Sequence, residues 1–209
     1  MDFSLTDVIE EMYENYSENC CKYILLQALQ GLKHLHEKHI VHRDIKSDNI
    51  LVDQQGQIKL ADFGYSAQLT QERGARSTKF GTPHWMAPEL ISGKTGYDTR
   101  IDIWSFGILA IELANRDPPY MFEGHTKALS KIVMNDPPRL LEKWSPLFRD
   151  FVSKCLVKDP NLRPSASEML DHEFLQGAAD YKEEFIQTIK DFKQILNAKK
   201  KIEYQLFQE

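Results

Sequence analysis

The stretch Thr99–Arg116 limits what this chain can fold into more than any other. Its residues TRIDIWSFGILAIELANR are apolar on nearly every side of a helix instead of along one stripe. A helix of that kind has no face to offer water, so other elements must wrap it and it must sit at the centre of a core. Asp117-Pro118-Pro119 ends it, because proline cannot donate the next helical hydrogen bond. The apolar run Ile103–Ala114 is broken by Ser105, Gly107 and Glu112 and is too short to span a bilayer. A buried core helix is therefore expected, and no membrane partner.

The wrapping elements are mostly helical. Cys21, Ile24, Leu25, Ala28, Leu29, Leu32 and Leu35 recur at helical spacing between Ser17 and Lys38, and Ser17 is placed to cap the start. Amphipathic helices are expected near His125–Met134 and Pro146–Val157. Ser165-Ala166-Ser167-Glu168 has the form of a capping box. After Gly177, the residues Phe185, Ile189, Phe192 and Leu196 fall on one face of a charged tail helix. That stripe is expected to pack on its own domain, with a partner-binding face as the alternative. The β signal is small: Ile50–Asp53 and Gln57–Leu60 flank Gln54-Gln55-Gly56 as a hairpin would. From Asp62 to Glu89 no period is visible, as in a long functional loop. The fold class is thus mainly α, within the α+β family, and no internal repeat occurs.

Charge and cysteine content remove several function classes. The net charge of −5 offers no basic balance for nucleic acid. Cys20, Cys21 and Cys155 form neither a disulfide framework nor a zinc spacing, which fits a reducing, cytoplasmic setting. Acidic residues Asp2, Asp7, Glu10 and Glu11 near Met1 argue against a signal peptide. His34, His36, His39 and His42 lack the cysteines or carboxylates of a zinc pattern, so no metal is expected among them.

Three motifs then appear in one order. His42-Arg43-Asp44-Ile45-Lys46-Ser47-Asp48-Asn49 lies between the long helix and the hairpin, with Asn49 five residues after Asp44. Asp62-Phe63-Gly64 follows the hairpin, and Ala87-Pro88-Glu89 closes the long loop. Together they resemble the catalytic loop, metal-binding turn and loop end of a eukaryotic serine/threonine protein kinase, from about Ser4 to Leu175. Gly81–Glu89, Asp102–Gly107 and Ser4–Val8 resemble the PAK-like branch, the kinases switched on by small GTPases. The resemblance implies the large C-terminal lobe with its hairpin at the catalytic cleft: a partial kinase domain over residues 1–176 and an amphipathic helical tail over 177–209.

It also implies ATP and Mg2+ as cofactors and protein serine or threonine hydroxyls as acceptors. Phosphoryl transfer is mainly positioning and charge neutralisation. By resemblance, Asp44 is the base that accepts the hydroxyl proton, and Lys46 offsets charge on the moving phosphate. Thr82 contacts both. Asn49 and Asp62 are the hard oxygen ligands for magnesium, and Leu51 is the apolar floor under adenine. Arg43 pairs with a phosphate on Thr78, the activation-loop phosphosite. Asp48 and Glu112 match acidic positions that meet basic peptide substrates, and Tyr65 matches a serine-preferring pattern. Structural roles fall to His42 and Phe63 in a stacked apolar column, to Gly64 as the turn that aims Asp62, to Glu89 and Arg163 as a buried ion pair, and to Asp102 as the anchor of the catalytic-loop backbone.

The chain departs from the family in one respect. It contains no Gly-x-Gly and no Val-Ala-Ile-Lys-like segment. The small ATP-clamping lobe is therefore expected to be absent from it, with weak ATP binding and slow turnover by the chain alone. A non-catalytic partner-binding module or an inactive fragment are the alternatives, and GTPase-linked regulation would act through segments outside the chain.

Overall fold

A computed structural model describes residues 1–12, 17–69, 81–93 and 96–206. Helix α1 is Leu5–Met12, α2 Glu18–Glu37, α3 Pro88–Ser92, α4 Arg100–Asn115, α5 His125–Met134, α6 Pro146–Cys155, α7 Ala166–Leu170 and α8 Lys182–Leu206. Every residue of α4 from Ile101 to Ala114 is buried, as an all-round apolar helix must be. It packs against α2 and α6. Gly107 is the point of closest approach: a Cβ there would lie 2.7 Å from Cys155 Cβ and 2.8 Å from Leu156 Cδ2.

Two local helix caps follow the sequence. Ser17 Oγ accepts from the Cys20 amide at 3.1 Å and starts α2. Ser165 and Glu168 form the reciprocal capping box of α7, which satisfies two of the amide groups a helix start leaves open.

Strands β1 (Phe3–Ser4), β3 (Ile50–Val52) and β4 (Ile58–Leu60) form one antiparallel sheet in the order β1-β3-β4, and β2 (Ile40–Val41) pairs with β5 (Ala67–Gln68). The hairpin register is Ile50↔Leu60, Leu51↔Lys59 and Val52↔Ile58. Its turn is closed by Asp53 Oδ1, which accepts from the Gln55 and Gln57 amides at 3.0 and 2.9 Å. Gly56 adopts φ +71° beneath Ile186, whose Cγ1 leaves no room for a side chain.

The tail helix α8 lies along α1, α2 and the hairpin. Phe185, Ile189 and Phe192 are buried. Phe192 meets the Phe3 ring edge-on at 5.0 Å, and Phe185 meets Tyr23 at 5.5 Å. Polar tips fasten the same seam: Lys193 Nζ donates to Gln54 Oε1 at 2.5 Å, Lys199 Nζ reaches Glu11 Oε2 at 2.6 Å, and Ser17 Oγ donates to Glu184 Oε1 at 2.5 Å. Phe185, Ile189 and Phe192 therefore face the lobe, and only Leu196 of the stripe stays partly exposed. Among the described residues no helix is long and apolar enough to cross a membrane.

Candidate active site

The residues between β2 and β3 form a loop pinned from below by one carboxylate. Asp102, fully buried on the first turn of α4, accepts from the Arg43 amide through Oδ1 at 2.8 Å. Its Oδ2 accepts from the His42 amide at 2.8 Å and from His36 Nε2 at 2.9 Å. The expected anchor is present. The His36 contact was not legible: 66 positions separate the partners, and no motif links them. Arg43 takes φ +71° at this point, a strained value for a residue with a side chain, which the two amide bonds to Asp102 hold in place.

Pinning the backbone presents Asp44 to a ring of donors. Its Oδ1 accepts from Thr82 Oγ1 at 2.6 Å and from the Thr82 amide at 3.1 Å. Its Oδ2 accepts from Asn49 Nδ2 at 2.8 Å, and Lys46 Nζ stands 3.5 Å away. Lys46 Nζ also donates to Thr82 Oγ1 at 2.9 Å. Asp44, Lys46, Asn49 and Thr82 are thus brought into one cluster. Gly81, at φ +133°, makes room for it: a Cβ there would fall 2.8 Å from the Arg43 carbonyl oxygen.

The turn after β4 places the second carboxylate. Asp62 itself, at φ +58°, takes the left-handed conformation, and its Oδ1 accepts from the Gly64 amide at 3.1 Å. This corrects the reason given for Gly64. The backbone freedom is used at Asp62, whereas Gly64 is small because a Cβ would sit 3.0 Å from Asp62 Oδ1. Asp62 and Phe63 are exposed. The Phe63 ring lies 5.2 Å from His42, so the expected column has two adjoining members here. His42 Nε2 donates to the Ala61 carbonyl at 3.0 Å, which ties the column to the end of the hairpin. Leu51 alternates away from its buried neighbours Ile50 and Val52 and stays partly exposed on the other face of β3.

A magnesium ion would find compatible donors here. The two bonds from Asn49 Nδ2, to the Asp44 carboxylate and carbonyl at 2.8 Å each, orient the amide and leave Oδ1 as its acceptor. The exposed Asp62 carboxylate supplies the hard oxygen such an ion takes.

Arg43 does not wait with an empty guanidinium. Its Nε donates to the Tyr65 carbonyl, Nη1 to Tyr97 Oη at 3.0 Å and Nη2 to the Ser66 carbonyl at 3.3 Å. It ties the segment after Asp62-Phe63-Gly64 to the catalytic loop. Thr78 lies outside the described residues. Glu89 and Arg163 form the expected buried pair, bidentate at 2.6 and 3.0 Å. Arg163 also donates to the Val157 and Arg100 carbonyls at 2.8 Å and stacks on Trp104 at 5.2 Å.

Glu112, expected among the acids that meet a basic peptide, is buried instead. It is 5% exposed, and both carboxylate oxygens are engaged: Oε1 by Ser47 Oγ at 2.5 Å, Oε2 by Trp85 Nε1 at 3.1 Å and the Ser47 amide at 3.3 Å. Burial pushes its pKa up to about 7, and these donors pull against that shift. Ser47 in turn bonds Thr6 of α1 at 2.6 Å, so Glu112 joins α1, the catalytic loop and the 3₁₀ turn Pro83–Trp85. No local motif announces this link. Glu112 still borders a cleft of about 480 Å³, lined also by the acids Glu10, Asp48 and Asp117, by Arg116, and by Met121 and Phe122. Asp48 is exposed there.

Residues 1–175 match the protein kinase domain family. The chain belongs to the protein kinase family. The kinase is 49% identical over 181 residues to human myosin-IIIa, covering 82% of this chain and 11% of that protein. It is 48% identical over 179 residues to serine/threonine-protein kinase pakB of Dictyostelium discoideum, covering 84% and 21%. It is 46% identical over 175 residues to serine/threonine-protein kinase CLA4 of Candida albicans, covering 83% and 18%. These relatives place it with the PAK-like serine/threonine kinases. The chain spans 11% to 21% of the length of these three relatives, and α8 starts beyond the family match.

Proposed function

We propose that this kinase transfers the γ-phosphoryl group of ATP to serine and threonine hydroxyls of proteins, in PAK-like cytoplasmic signalling. The observation that carries the reading is the Asp44 carboxylate, held by Thr82, Asn49 and Lys46 within hydrogen-bond or ion-pair range. A carboxylate so held can accept the acceptor hydroxyl's proton at Oδ2 while Oδ1 stays fixed by Thr82. Lys46, which bridges Asp44 and Thr82, offsets negative charge on the phosphoryl oxygens as the attacking oxygen approaches. Asn49 and Asp62 would hold Mg2+, which when bound neutralises phosphate charge. Leu51 would lie under the adenine ring.

Substrate choice falls to the cleft beside the catalytic loop. Asp48, Glu10 and Asp117 give it negative charge, which favours peptides with basic residues before the acceptor, and Tyr65 favours serine. Phosphate on Thr78 would add up to about two negative charges to the loop, and Arg43, already tied to Tyr65 and Ser66, would carry that order into the catalytic loop. Small-GTPase control would act through other segments of the protein.

The test is transfer of labelled phosphate from Mg-ATP to a basic serine peptide, by the longest native product containing these residues. Asp44→Asn is expected to cut turnover by about 10²–10⁴ with little change in thermal stability, and Thr78→Ala to lower activity without abolishing it. Undiminished transfer by Asp44→Asn would overturn the assignment of the base.

A further inference from the structure

On the face of the lobe formed by α6 lies a second cleft, of about 560 Å³, between the 137–140 segment and the end of that helix. The 137–140 segment contributes Pro137, Pro138, Arg139 and Leu140, and the wall formed by α6 and the residues after it contributes Arg149, Asp150, Ser153, Leu156 and Val157. The two arginines are the unusual feature. Arg149 Nε is buried with no hydrogen-bond partner. Among the described residues neither guanidinium has an ion pair or hydrogen bond from its side chain. Arginines that reach the protein interior are normally paired, because an inner N–H without an acceptor is costly.

We propose that this cleft binds an acidic peptide segment of a protein partner, with a carboxylate beside an apolar side chain. The guanidinium forks match a carboxylate in shape and charge, and the proline and leucine wall takes the neighbouring apolar group. The third charged group selects a monoanion. Asp150 stands in the same wall, held by Lys154 at 2.9 Å and His172 at 3.0 Å; the Lys154 hydrogen bond keeps its carboxyl below the ordinary range, with His172 adding to the effect. That carboxylate, paired with Lys154 but lining the same cleft, repels a phosphate dianion more than it repels a single carboxylate. No step of catalysis is involved, so the proposal stands apart from the assignment of Asp44.

Fluorescence anisotropy of the 209-residue chain tests it, with labelled Ala-Leu-Asp-Leu-Ala and its asparagine and phosphoserine counterparts as probes. The aspartate peptide is expected to bind saturably and about tenfold tighter than the asparagine peptide, the scale of one charge-assisted contact. Arg149→Ala should reduce binding to the level of the asparagine peptide, and Arg149→Lys should weaken it by retaining charge without the fork. Arg139→Ala, on an exposed loop residue, repeats the test should Arg149→Ala lower the melting temperature. Lys193→Ala, at the distant tail seam, should bind as the parent does. Equal binding of the aspartate and asparagine peptides would sink the proposal, as would binding untouched by both arginine variants. No saturable binding up to millimolar peptide, or tighter binding of the phosphoserine peptide, would do the same.

Discussion

A carboxyl group shut away from water, as Glu112 is, either keeps its proton or needs several donors to do without it. Glu112 has three donors and still titrates near 7, because burial outweighs them. Its folded pKa is thus raised above the ordinary value of 4.5. The stability this provides is complete below about 4.5 and is lost as the pH rises through about 7. Glu112→Gln should remove that dependence. The amide can accept from Ser47 and Trp85 through its oxygen and donate to Ser47 Oγ, which is free to turn toward Thr6. Denaturant unfolding at pH 5 and pH 8 should show the parent losing up to about 3 kcal/mol more than the variant over that interval; parallel losses would mean Glu112 stays ionised in the fold. Arg163 presents the opposite case, a buried charge fully paired by Glu89 and backbone carbonyls. Arg163→Ala should cost about 3–5 kcal/mol, read as a lower melting temperature, and an unchanged melt would contradict the burial of the pair. The identities of these groups were legible, since Asp44, Asn49, Asp62, Glu89 and Arg163 sit in ordered motifs. The partners Ser47, Trp85 and His36 were not, because a hydrogen bond across dozens of residues leaves no local pattern.

Helices announced themselves better than strands. The period of α2, the capping box of α7 and the apolar girth of α4 are each written in consecutive residues, so their positions followed from the chain. Strands β1, β2 and β5 are two residues each, too short for any alternation to register; their pairing is set by what lies across from them. The tail stripe of α8 was visible, but its destination depended on Phe3 and Tyr23, which no period connects to it. Where two elements touch through a glycine, substitution tests the contact directly. Gly107→Ala puts a methyl group within 3 Å of the Cys155 and Leu156 side chains, both buried in the core, and should cost about 1–3 kcal/mol in urea unfolding while leaving the helical circular dichroism unchanged. A neutral result would mean α4 and α6 can move apart, contrary to their close approach.

At the scale of the whole molecule, the cluster around Asp44 is held by a lobe whose parts depend on one another. Asp102 ties the loop to α4, Glu112 ties it to α1 and to the 3₁₀ turn, and α8 clasps the hairpin from behind. Cys20, Cys21 and Cys155 are free and buried, and burial raises the thiol pKa of Cys21 and Cys155, so those two stay protonated and unreactive at neutral pH. The charge and apolar balance of the sequence could not say which groups would meet across the cleft.

The encirclement of α4 bears on how the lobe comes apart. A helix with no outer face cannot be uncovered by the loss of one neighbour alone without wetting the rest of its circumference. Amide hydrogens from Ile103 to Ala114 should therefore exchange with solvent deuterium last and together, at the rate set by global opening, while those of the outer α5 exchange through local fraying. Early, residue-by-residue exchange along α4 would mean that the lobe opens in sections.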